Sequence, residues 1–242
     1  MCWSIEASAA MTCVGGVGTA VSYSRKNPPA IWLTIGYFTV MEALQVAGYV
    51  VLDQCGTRAN VAVTLASYLH IAFQPFFINA FAMELVPAPV KARVWRWVML
   101  LCAAATAILL IQLVPLGAFG RCTAGAPLCG PEFCTVSGEW HIAWNIPYNG
   151  LFVPFEAATG IASGFPAYMI VAFVLPLAYG AWRFVVFHVL SGPILASALT
   201  NNPNEMPAIW CLFSILILLV GVSVRARQSV TSDRWWGRRV ME

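Results

Sequence analysis

Seven stretches of mostly apolar residues run through this chain, at roughly 4–23, 30–52, 61–84, 95–116, 165–182, 185–200 and 207–224. A membrane-crossing helix needs about 20 such residues, and these stretches leave little else to fold. Charged residues make up only 10% of the 242 positions, against about 25% in soluble domains. The expectation is an all-α, polytopic bundle of seven transmembrane helices. It forms a single transmembrane domain over residues 1–242, with an outer loop at 117–164 and a basic tail at 225–242. Trp3, Trp32, Trp95, Trp97, Trp182 and Trp210 lie near stretch ends, the aromatic-belt habit of bilayer interfaces. Pro166, Pro176, Pro193 and Pro207 predict kinks, whose freed carbonyls need partners inside the bundle. The opening residues lack a basic segment, so no cleaved signal peptide is expected.

Lys and Arg set the orientation. Arg25, Lys26, Lys91, Arg93, Arg96, Arg183 and the tail residues Arg225, Arg227, Arg234, Arg238 and Arg239 fall on one side, and only Arg58 and Arg121 on the other. Positive-inside counting then puts the N-terminus outside and the C-terminus in the cytoplasm of a bacterial inner membrane. A net charge of +3 is too small and too scattered to imply nucleic acid, and no nucleic-acid partner is expected. Membrane lipids are the expected partners, and the tail with Trp235 and Trp236 reads as an anchor on anionic lipid. The loop at 117–164 is too long and too rich in Trp to be an idle connection. A short amphipathic or re-entrant segment on the outer surface is expected within it.

Polar residues inside the apolar stretches carry the functional expectation, because a charge at the bilayer centre costs at least about 2.5–3.5 kcal/mol. Glu42, Gln45, Tyr49 and Asp53 share one face of the second helix, and Ser67, His70 and Gln74 share one face of the third. Counting helical rise from the outer edge puts Glu42 and His70 at similar depth. Together they read either as a catalytic carboxylate–imidazole pair or as a buried contact between helices. Glu6, Gln45, Ser67, Gln74, His141, Asn145 and Glu205 are the expected ligand-binding residues of an outward-facing polar cavity. For Glu205 the Asn201–Glu205 run also reads as an ordinary helix start. His188 reads as an interfacial residue near the cytoplasmic end of the sixth helix. No two His share a helix, so spacing assigns no metal and no cofactor.

The cysteines divide by side. Cys13, Cys102 and Cys211 lie within spans as small packing residues. Cys55, Cys122, Cys129 and Cys134 lie outside, where disulfides persist, and two bridges are expected, one of them tying the second–third connection to the long loop. Cys2 is the odd external thiol. Gly15, Gly16 and Gly18 form a small-residue stripe on the first helix that suits an internal contact or a homo-oligomer equally.

The opening Met1-Cys2-Trp3-Ser4, with Pro29–Leu33, His70–Pro75 and Asn202–Pro207, resembles an uncharacterised bacterial family of integral membrane proteins over nearly the whole chain. In topology alone the chain is similar to the alkaline ceramidase and progestin-receptor superfamily of membrane hydrolases. Ser67 and His70 echo part of that family's Ser, Asp and His set, but the last span carries no His. The last span also lacks the Lys that a retinal Schiff base would need. Three readings follow: a protein that binds or transports a small polar or protonatable ligand, a membrane-embedded lipid-modifying hydrolase or transferase, or a structural subunit of a membrane complex.

Overall fold

The computed structural model describes residues 3–160, 164–232, 234–235 and 238–239, and the apolar stretches fold there as helices. α1 (Ile5–Ser24) is capped by the Ser4 hydroxyl, which accepts from the Ala7 N–H. α2 (Pro29–Val50) and α4 (Ala88–Gln112) each begin on a proline-led turn, where a missing N–H costs nothing. α3 (Arg58–Leu85) ends in a tighter last turn. After the long loop come α6 (Pro166–Ala178), α7 (Trp182–Leu199), α8 (Met206–Val222) and the short α9 (Val224–Val230), which leaves α8 at 105°. Within the loop lie a hairpin of β1 (Cys134–Ser137) and β2 (Ile142–Asn145) and a short helix, α5 (Val153–Thr159).

Among the described residues four helices, α2, α3, α4 and α7, are long and apolar enough to cross a membrane, and α8 with α9 makes a fifth as a bent pair. Two of the seven expected spans fall short of that standard. α1 has the length, but its Gly, Ser and Thr dilute its hydropathy. α6 stops at Ala178, about 20 Å from its start at 1.5 Å per residue. Gly180, in the left-handed region at φ 95°, turns the chain into α7. The tail also differs from a free anchor. Arg227 reaches Asn27 Oδ1 (3.1 Å) and the Gly221 carbonyl, and Ser232 N donates to the Leu85 carbonyl (2.8 Å), so residues 224–232 close under the bundle. Backbone strands at 234–235 and 238–239 pair beyond it, and Trp236 and Cys2 lie outside the described residues.

Consecutive rods alternate in direction, which gathers their ends at two poles. At the basic pole Arg25 bonds the Val222 carbonyl (2.9 Å) and Arg183 the Thr231 carbonyl (3.1 Å). At the opposite pole the long loop ties the other ends together. Asn60 Nδ2 donates to the Val51 and Thr135 carbonyls (2.7 and 3.0 Å), Asn149 N to the Gln112 carbonyl (2.8 Å), and Trp3 N to the Trp140 carbonyl (3.0 Å). Disulfides Cys55–Cys134 and Cys122–Cys129 brace this loop, the first tying the α2–α3 connection to β1.

The glycine stripe of α1 is used inside the bundle. A methyl group on Gly15 would lie 2.3 Å from Thr39 Oγ1, and one on Gly18 would lie 2.4 Å from a Leu218 methyl, whereas Gly16 faces open space. Gly15→Val should therefore cost about 1–3 kcal/mol through overpacking, and Gly16→Val should be near neutral. Thermal unfolding of the two purified variants checks this. Equal melting temperatures would show that the stripe does not hold α1 against α2 and α8.

Candidate functional site

The tip of the β-hairpin is held by one buried carboxylate. Residues 138–141 join β1 to β2 and leave three consecutive N–H groups pointing inward. Glu205, fully buried, accepts all three: Glu139 N at 3.1 Å, Trp140 N at 2.6 Å, and His141 N. The Thr200 hydroxyl adds a fourth bond at 2.6 Å. Ionised carboxylates receiving several N–H donors make the stronger kind of hydrogen bond. Gly138 makes the approach possible, because any Cβ there would lie 2.6 Å from the Glu205 carboxyl carbon. Glu205 thus turns away from α8, which begins one residue later, and serves the loop instead of the helix start.

His141 continues the attachment. Gln45 Nε2 donates to the Ala208 carbonyl (2.9 Å), which leaves Gln45 Oε1 to accept from His141 Nε2 (2.9 Å). The Tyr49 hydroxyl then donates to His141 Nδ1 (2.7 Å), so the neutral ring is satisfied at both nitrogens. Burial pushes the His141 pKa down to about 3. Asn145 Oδ1 accepts from Asn204 Nδ2 (2.7 Å), which also bonds the Cys129 carbonyl (2.9 Å). Of the expected ligand-binding residues, Gln45, His141, Asn145 and Glu205 therefore converge, and their polar atoms dock the loop on the bundle.

Glu42 and His70 are not brought into contact. The His70 ring stacks on Tyr37 at 3.8 Å, and its Nε2 meets the Tyr37 carbonyl at 2.7 Å. Tyr37 and Glu42 are five residues apart, which at about 100° per residue places them on different faces of α2. Glu42 is fully buried with neither oxygen hydrogen-bonded among the described residues, and lies within electrostatic range of Cys211 on α8. Ser67 bonds back to the Val63 carbonyl (3.0 Å), and Glu6 is exposed in the first turn of α1. His188 is 1% exposed and ringed by Phe173, Phe184 and Trp210, so it is a core residue and not an interfacial one. It sits two turns into α7 on the inward face. Among the described residues no three His, Cys, Asp or Glu side chains form a metal-binding group.

A cavity of about 190 Å³ opens beneath the docked loop, between α3, α6, α7 and α8. Of its twelve lining residues only Gln74, Tyr168, Trp210 and Cys211 carry a nitrogen, hydroxyl or thiol. Three of these are already linked to one another: Tyr168 donates to Gln74 Oε1 (2.6 Å), and Gln74 Nε2 donates to Cys211 Sγ (3.3 Å). The loop contributes Pro127 and Leu128. Leu128 takes the left-handed backbone (φ 64°), which costs a non-glycine residue about 1–2 kcal/mol. Bonds from Ile146 N to the Leu128 carbonyl (2.7 Å) and from Tyr148 Oη to the Pro127 carbonyl (3.0 Å) hold it there, within the loop closed by Cys122–Cys129. Both α6 and α7 widen to a π turn beside the cavity, at Ile170–Val174 and Leu190–Ile194. Such turns recur at functional sites.

Sequence reasoning missed Leu128, Tyr168 and the hairpin. The Ser137-Gly138 dipeptide between two β-branched and aromatic runs was the available signal for the hairpin. Pro176 and Pro193 marked the disturbed helices without giving the form of the disturbance.

Glu205→Gln removes the charged acceptor from three N–H groups and should lower stability by about 1–3 kcal/mol. His141 gives a pH test. Its folded pKa lies below the ordinary 6.5, so the unfolded chain binds the proton first as pH falls. Its contribution is complete above about pH 6.5 and declines from there toward about pH 3. Between about pH 6.5 and 5, above the ordinary carboxylate range, melting temperature should fall, and His141→Gln should fall less steeply. A parallel pH dependence in the variant would contradict the neutral, buried imidazole.

No curated protein and no solved structure matches the chain. A family model does match, over residues 6–231, and it therefore covers the helices, the docked loop and the cavity. The chain belongs to the family of unknown function DUF5765.

Proposed function

We propose that this is a seven-span protein of a bacterial inner membrane that binds an amphiphile. One apolar chain of the ligand occupies the cavity beneath the docked loop. α1 and α6 complete the seven crossings, with the loop pole outside and the basic pole in the cytoplasm. Two independent features support that orientation. Disulfides persist in oxidising compartments, and both bridges lie at the loop pole. The Lys and Arg residues concentrate at the other.

The single observation that carries the ligand class is the composition of the cavity wall. A charged or strongly polar ligand would lose its hydration there and gain few hydrogen bonds, because Gln74 and Tyr168 are already paired. A hydrocarbon segment has no such cost. The volume of about 190 Å³ exceeds the roughly 150 Å³ apolar cavity that admits benzene, so it suits one segment of a chain and not a whole lipid. The polar ligand expected from the sequence thus becomes one whose polar end stays at the cavity mouth. Lipid-modifying chemistry would draw on Glu42, a buried carboxyl with no hydrogen-bond partner among the described residues, as acid or base. A purely structural role accounts for the satisfied loop residues but leaves the cavity without a purpose.

A fatty acid carrying a diazirine on its chain tests this reading. Irradiation with the purified protein should label Met169 and Met206, and Ile71→Trp, which fills the cavity, should reduce that labelling at least tenfold. Labelling spread evenly over the lipid-facing surface, or undiminished in Ile71→Trp, would refute the proposal.

A further inference from the structure

At the basic pole a second cavity, of about 280 Å³, opens between α4 and α6. We propose that it holds an anionic phospholipid, with the headgroup phosphate at Arg93 and one acyl chain along Trp97 and Leu101. These three lining residues recur every four positions and so share a face of α4. From Arg93 to Leu101 the helix rises about 12 Å, which carries the groove from the charged pole into the apolar interior. Leu175 and Tyr179 form the facing wall. The Tyr179 hydroxyl is turned inward to Asn79 Oδ1 (3.1 Å), so the ring lines the groove. α6 does not close over α4 here, because the two helices pack chiefly through residues 166–174 and α6 ends at Ala178.

Charge complementarity selects the occupant. Arg93 supplies a guanidinium at the mouth, and Arg96, also exposed, follows one turn along. Guanidinium groups suit phosphate in both charge and geometry. Lys91 does not line the groove and instead pairs with Glu84 at 2.6 Å and lies over the Trp95 ring. Trp97 is 70% exposed beside this charge, in the setting where interfacial tryptophans meet headgroups. This site lies at the opposite pole from the cavity beneath the loop, so either can stand without the other.

Native mass spectrometry of the full-length protein in detergent, titrated with dioleoyl phosphatidylglycerol or dioleoyl phosphatidylcholine, reads the site directly. The protein should retain phosphatidylglycerol in preference. Arg93→Gln should weaken that adduct about fivefold, the effect of one basic residue near a lipid surface. Arg93→Lys, which keeps the charge, should retain most of it, and Lys91→Gln should leave it unchanged. Trp97→Ala should weaken retention of both lipids. Equal retention of the two lipids by the wild type overturns the proposal, and so does a folded Arg93→Gln variant with an undiminished preference. If Arg93→Gln does not fold, weakened retention of both lipids in Trp97→Ala supports the chain-binding part, and unchanged retention there overturns it.

Discussion

One buried carboxylate organises the loop pole of this protein. Glu205 sits at the start of α8 and collects the N–H groups of Glu139, Trp140 and His141, together with the Thr200 hydroxyl. Of those N–H groups the buried one, on His141, would otherwise be an unsatisfied donor, at a cost of about 1–3 kcal/mol. The charge itself is tolerable in the interior only because it is surrounded by donors. The loop and the carboxylate are therefore each other's condition for burial, and a 48-residue connection can behave as part of the bundle.

The consequences run outward from that contact. Once the hairpin tip is fixed, His141 reaches Gln45 and Tyr49 on α2, and Asn145 reaches Asn204. The strand register carries the constraint to Cys134, which is bonded to Cys55, and the Asn204 bond carries it to Cys129. Cys129 closes the short loop that places Leu128 in the cavity wall. The remaining walls owe their spacing to the widened turns of α6 and α7, which keep those helices from packing as regular rods. Loop docking and helix irregularity thus shape the same space from two directions.

The helical class and the two poles were legible in the sequence, because apolar run length and the placement of Lys and Arg are one-dimensional signals. The bridge between the α2–α3 connection and the loop was legible for a similar reason: only a few cysteines lie outside the apolar stretches. What failed was the step from shared depth to contact. Glu42 and His70 can occupy similar heights and still not meet, because the side of α2 that faces His70 is the Tyr37 side. Helical phase between neighbours depends on tertiary packing and cannot be counted from helix ends. The polar residues also misled in a consistent way. Gln45, His141, Asn145 and Glu205 were conspicuous as expensive groups, and the structure satisfies them in docking the loop, whereas the cavity is lined by residues such as Leu128, Ile71 and Met206 that look unremarkable in an apolar sequence.

The long loop is a docked cap held by Glu205 and not a mobile connection. Hydrogen exchange read by mass spectrometry on the purified protein addresses it most directly. Slow exchange is expected for the amides of residues 139–141, and faster exchange there and at Leu128–Cys129 in Glu205→Ala, with α2 and α3 unchanged. Rapid exchange of those amides in the wild type, or identical protection in the variant, would contradict it.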